Sequence, residues 1–222
     1  MYFVLFISIA LLSWAVSALL DHRFKKYAKV YLPLTGHEVA EKMLRDNGIY
    51  DVQVTCIPGH LTDHYDPRNK TINLSEAVYN SNNVAAAAVA AHECGHAVQH
   101  AFSYAPLNMR SALVPVVNFA SQWVTWILLG GILMVETFPQ LLLVGIILYA
   151  LTTLFAFITL PVEINASRRA IAWLEQSGIT DYQTTPMASS ALRSAAYTYV
   201  VAALSSLGTL IYYILIFTSR RD

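Results

Sequence analysis

Four stretches of this chain are long enough and free enough of charge to cross a bilayer, which takes about 20 apolar residues each. They are residues 2–20 with no charge, 116–137 with only Glu136 near its end, 141–160 with none, and 195–217 with none. No soluble core hides that much apolar length. The chain is 56% hydrophobic and 13% charged over 222 residues, against about 25% charged in ordinary globular proteins. The expected fold class is a mainly α membrane protein: four transmembrane helices plus a small α+β domain made from residues 21–115 and completed by 161–194. Formal net charge is zero, so composition gives no case for nucleic acid. The lipid bilayer is the first expected partner.

The basic residues orient the spans. Of the 14 Lys and Arg, all but Arg220 and Arg221 fall in the segments 21–115 and 161–194. Positive charge stays on the cytoplasmic side, so both segments are expected there, with both termini outside. No basic residue precedes the first stretch, while Arg23, Lys25, Lys26 and Lys29 follow it. That order suits an uncleaved anchor better than a signal peptide. Spans two and three, joined around Pro139-Gln140, read as a tight hairpin. Whatever precedes span two and follows span three then emerges on one side and can meet.

The polar segments carry local signals. Thr35 with Glu38 is a capping-box pattern, Val39, Ala40, Met43 and Leu44 form an apolar stripe, and Gly48 is a stop. Residues 49–57 alternate like a strand, and Lys70 to Leu74 reads as another, with a free edge able to pair with a peptide backbone. Ser75 is expected to cap a helical turn through Tyr79. Asn82 or Asn83 is expected to cap a helix over about 83–102. The two cysteines, Cys56 and Cys94, are expected as free thiols.

That last helix carries His92-Glu93-Cys94-Gly95-His96, an H-E-x-x-H pattern. Spacing of four puts both imidazoles on one face, where they can hold one Zn2+ ion. Glu93 is placed to take a proton from a water at such a site. An alanine-rich core helix has little reason to bury His, Glu and His together unless they are paired or bound to metal. Cys94 lies roughly 200° round the helix from each histidine, so it points away. This disfavours a closed structural site and favours a catalytic one. His100 shares the face but lies about 12 Å along the axis from His92, too far to share an ion.

A third ligand has to come from elsewhere. Glu163 is the leading candidate: it follows span three directly, and Pro161 suits the first turn of a helix continuing from there, where an acid is favoured by the dipole. An ionisable residue at a membrane edge is itself a functional candidate. His60 and His64 are weaker alternatives, Glu175 reads as solvated, and Glu136 falls on the opposite membrane side. His64, Tyr65 and Arg168 are candidates for substrate or oxyanion contact.

The stretches His60 to Arg68, His92 to Ala97 and Pro161 to Arg169 resemble the signatures of the YugP-type neutral zinc metallopeptidases of bacterial membranes, over most of the chain. They are distantly similar to membrane gluzincins of the HtpX and CAAX-protease kind. The resemblance implies a zincin-like cytoplasmic metalloprotease domain with one zinc ion. It implies His92, His96 and Glu163 as ligands and Glu93 as general base, in a multi-pass protein of the bacterial plasma membrane. Ser167 stands where the related families often have an acid that orients a zinc histidine. The expected activity is hydrolysis of peptide bonds in a peptide or protein, membrane proteins included. The contrasting reading is a non-catalytic membrane adaptor that retains a zinc site. A transporter is disfavoured, because the spans carry no internal ionisable residue.

Overall fold

A computed structural model describes residues 2–59 and 61–219. His60, weighed above as a ligand, lies outside them. Four helices are long and apolar enough to cross a membrane. These are α1 (Tyr2–Tyr27), α5 (Ala105–Leu133), α6 (Pro139–Gln176) and α7 (Thr184–Thr218). Between α1 and α5 lie α2 (Gly36–Asp46), β1 (Gln53–Ile57), β2 (His64–Asp66), β3 (Thr71–Ser75), α3 (Glu76–Tyr79) and α4 (Val84–Ala101).

The long helices contact one another in the row α5, α6, α7, α1. Their large apolar side chains point outward: Phe3, Trp14, Phe119 and Trp126 are all mostly exposed. Between α6 and α7 the hydroxyls of Thr153 and Ser206 hydrogen-bond at 2.6 Å, the kind of polar link that joins helices in lipid. The helices outrun the apolar stretches that mark them. α1 continues through Arg23, Lys25 and Lys26 to Tyr27, where the Tyr27 hydroxyl donates to Ser190 Oγ (3.1 Å) and Arg23 donates to the Ser190 carbonyl (3.1 Å). α5 begins eleven residues before position 116 and runs through Pro115.

α6 differs from expectation in one important way. Pro161 does not open a new helix. It lies inside a single helix of 38 residues, so Glu163 sits in mid-helix and gains nothing from an N-terminal dipole. The ring removes one N–H from the ladder without ending it.

The α+β part follows its local signals more closely. Thr35 and Glu38 form the full capping box: Glu38 N donates to Thr35 Oγ1 (3.3 Å) and Thr35 N to the Glu38 carboxylate (2.8 Å). Those hydrogen bonds hold the exposed Glu38 carboxyl below its usual pKa. Gly48 ends the helix with φ +70°, a conformation that favours glycine. Asn83 caps α4 by accepting from Ala86 N (2.9 Å). Ser75 precedes α3 but does not cap it; its hydroxyl donates to the Asp63 carboxylate at 3.0 Å.

The sheet order is β1-β3-β2, with β1 parallel and β2 antiparallel to β3. β3 is therefore central and has no free edge, contrary to the expectation for Lys70–Leu74. The edge beside α4 belongs to β2. α4 itself is the hub, packed against α2, α6 and α7. Its run of small side chains, Ala85 to Ala88 with Ala90 and Ala91, is fully buried, so neighbouring helices approach on nearly every side.

Candidate metal centre

α4 crosses α6 at Gly95. A Cβ at that position would lie 2.7 Å from the carbonyl oxygen of Ala166, a contact real side chains do not make. Glycine thus allows the two backbones to touch, and the touch brings Glu163 of α6 opposite the histidines of α4. His92 Nε2 lies 3.3 Å and His96 Nε2 3.6 Å from Glu163 Oε2. Ligand atoms on a tetrahedral ion with bonds of about 2.0–2.1 Å are about 3.3 Å apart. Among the described residues, His92, His96 and Glu163 are the one group of three such side chains whose ligand atoms gather within 4.8 Å.

The outer nitrogens are already committed. His96 Nδ1–H donates to Gln99 Oε1 (3.0 Å), and Gln99 Nε2 donates in turn to the Val162 carbonyl (2.8 Å) and Asn165 Oδ1 (3.0 Å). His92 Nδ1 meets Ser167 Oγ at 3.1 Å. Both imidazoles therefore present Nε2 inward, as orienting partners behind metal-bound histidines make them do. Glu163 Oε2 is buried with no hydrogen-bond partner, and such an atom calls for a cation. Two imidazole nitrogens, one carboxylate oxygen and an open fourth position fit a catalytic zinc. Burial works against a charged His96 imidazole, but the Glu163 carboxylate at 3.6 Å and the charge of Glu93 outweigh it and hold its pKa above the usual value. Protons thus compete for the same Nε2.

Glu93 stands beside this group without joining it. Its Oε2 accepts the backbone N–H of Tyr65, on β2, at 3.0 Å. Cys94 lies on the far face, where its thiol donates to the Ala40 carbonyl (3.5 Å). Burial and then the Glu93 charge push that thiol's pKa well up, so it stays protonated.

A cavity of about 570 Å³ opens onto the site. His64 and Tyr65 line it, as expected, but both side chains are occupied. His64 Nδ1–H donates to the Thr62 carbonyl (2.7 Å) while its Nε2 accepts from Asn73 (3.2 Å). The Tyr65 hydroxyl bonds His100 Nδ1 (2.9 Å), so His100 stays outside the ligand set as its spacing required. Arg168 does not reach the cavity; it lines a separate one with Glu175 and Arg193. Three residues at or behind the site escaped sequence reasoning. Gln99 had a usable signal, three residues after His96 on the same helix. Arg110 and Tyr199 had none, since each comes from a long apolar helix other than the one that carries the motif.

Comparison with known proteins agrees with this geometry. Residues 2–218 match the sequence profile of the family described as "Putative neutral zinc metallopeptidase". The chain is also 44% identical over 201 residues to the "Putative membrane protease YugP" of Bacillus subtilis (strain 168), covering 90% of this chain and 88% of that one. No solved structure matches. With nearly its whole length inside the profile and its two histidines and glutamate converging as described, the chain belongs to this neutral zinc metallopeptidase family.

Proposed function

We propose that the protein is a membrane-embedded, zinc-dependent metalloendopeptidase. In this reading α1, α5, α6 and α7 span the bacterial plasma membrane and the site faces the cytoplasm. One observation carries the proposal: Glu93 shares a cavity with His92, His96 and Glu163 without being one of the three converging ligands. A bound zinc ion would polarise the scissile carbonyl and acidify the attacking water.

The remaining chemistry belongs to the chain. The Tyr65 N–H fixes one oxygen of Glu93 and leaves the other free. That oxygen takes the proton of the water as it attacks the carbonyl carbon, then returns it to the leaving amine nitrogen. The Tyr199 hydroxyl, on the cavity wall that Glu163 shares, serves as the side-chain donor for the developing oxyanion. The outer edge of β2, whose Tyr65 N–H already faces the site, pairs with an extended peptide. An adaptor role gains no support from the donor set, because the fourth position has no protein ligand and Cys94 turns away.

The test is purified Glu93→Gln in detergent or lipid. Loss of peptide hydrolysis by about 10²–10⁴-fold with zinc retained is expected for a general base. Wild-type turnover in that variant would sink the assignment.

A further inference from the structure

Arg110 rests on an aromatic ring and not on an acid. It lies in the second turn of α5, and its guanidinium carbon sits 5.9 Å from the centre of the Phe155 ring of α6. Its Nε is buried and has no hydrogen-bond partner. Among the described residues no carboxylate pairs with it. Removing a guanidinium donor from water without a partner is costly. A protein keeps such a group where a ligand completes it.

Its position names the ligand's site. Arg110 lines the same cavity as His92, Glu93, His96 and Glu163, with Asn108 and Ser111 beside it on α5. Tyr199 of α7 lines that cavity as well. The opposite approach to the site is different in kind. A smaller cavity of about 170 Å³ reaches His92, Glu93 and Glu163 between α1 and α7, through Leu20, Phe24 and Leu192. The site thus has an apolar arm and a cationic arm. With zinc bound, the two glutamates balance the ion, Asp63 and Arg68 on the same cavity wall offset each other, and Arg110 remains as the surplus positive charge.

Resting on the peptidase reading, we infer that Arg110 binds a carboxylate of the substrate next to the scissile bond, so that the preferred substrates are peptides with an acidic side chain or a free C-terminus on one side of the cut and apolar residues on the other. A planar guanidinium and a carboxylate make two parallel hydrogen bonds. The two sources of carboxylate share this chemistry and differ only in where the chain ends.

The experiment uses the zinc-loaded, full-length Glu93→Gln protein in detergent and four fluorescent peptides of one sequence. Each has Glu or Gln beside the scissile position, and a free or amidated C-terminus. Anisotropy is expected to show at least about tenfold tighter binding of a carboxylate-bearing peptide over its amide. The arm that shows it identifies the source. Adding Arg110→Gln should bring the ratio close to one, and Arg110→Lys should keep part of it. Equal binding of all four peptides overturns the inference without any Arg110 variant. So does a preference that survives Arg110→Gln, or one shown only for phosphatidylglycerol over phosphatidylcholine vesicles. Mass spectrometry of wild-type digests separates the two readings: no cleavage of any peptide defeats the peptidase, whereas cleavage without discrimination defeats only Arg110.

Discussion

The two converging imidazoles are held by unlike partners. His96 leans on Gln99, whose amide is itself tied to Val162 and Asn165. His92 leans on the lone hydroxyl of Ser167. Gln99→Leu leaves a buried Nδ1–H and a buried carbonyl unanswered, and zinc affinity measured by chelator competition should fall about 10–100-fold. Ser167→Asp supplies a stronger acceptor and should tighten zinc; an unchanged affinity would mean Ser167 does not orient His92. Tyr199→Phe should lower kcat by about a hundredfold with zinc content intact. Full activity in that variant would move the oxyanion role elsewhere. At this scale His92, Glu93 and His96 could be read in the sequence because one helix holds them at fixed spacing. Glu163 could be proposed from its place after a span and from the resemblance of its flanking residues, and not from any fixed spacing to the histidines. Tyr199 and Arg110 could not be read at all, since their relation to the motif exists only once separate helices pack.

The elements show the same division between local and long-range causes. Thr35, Gly48 and Asn83 act on their own backbones within a few residues, so the start and stop of α2 and the start of α4 were legible. Ser75 was misread because Asp63, twelve residues earlier, captures its hydroxyl. The continuity of α6 was misread because proline usually marks a boundary, and only packing against α4 and α7 shows that the helix persists. The α4–α6 crossing is the element-level feature on which the site depends. Gly95→Ala forces a methyl group against the Ala166 carbonyl, and overpacking of this kind costs about 1–3 kcal/mol. The expected result is a lower Tm together with weaker zinc binding. A variant that kept both would show that the helices do not meet this closely.

For the whole molecule, composition was sufficient to find the four long helices, because nothing but lipid accommodates so many outward apolar side chains. Sidedness rests on the distribution of Lys and Arg, and the native thiols can test it. Cys56 is exposed and Cys94 is buried and kept protonated. A membrane-impermeant maleimide should therefore label only Cys56, in inverted vesicles and not in intact cells. Labelling of intact cells would reverse the topology.

α6 carries Glu163 on an unbroken rod long and apolar enough to cross a membrane, while both histidines ride on a separate helix. A fragment ending before α5 keeps two imidazoles and loses the carboxylate, so it holds only part of the site. On the proposed membrane-embedded reading the bilayer is part of the scaffold: its thickness would set the tilt of the rod, and the tilt how far the carboxylate stands from the imidazoles. Lipid composition is in that sense a mechanical input to metal coordination.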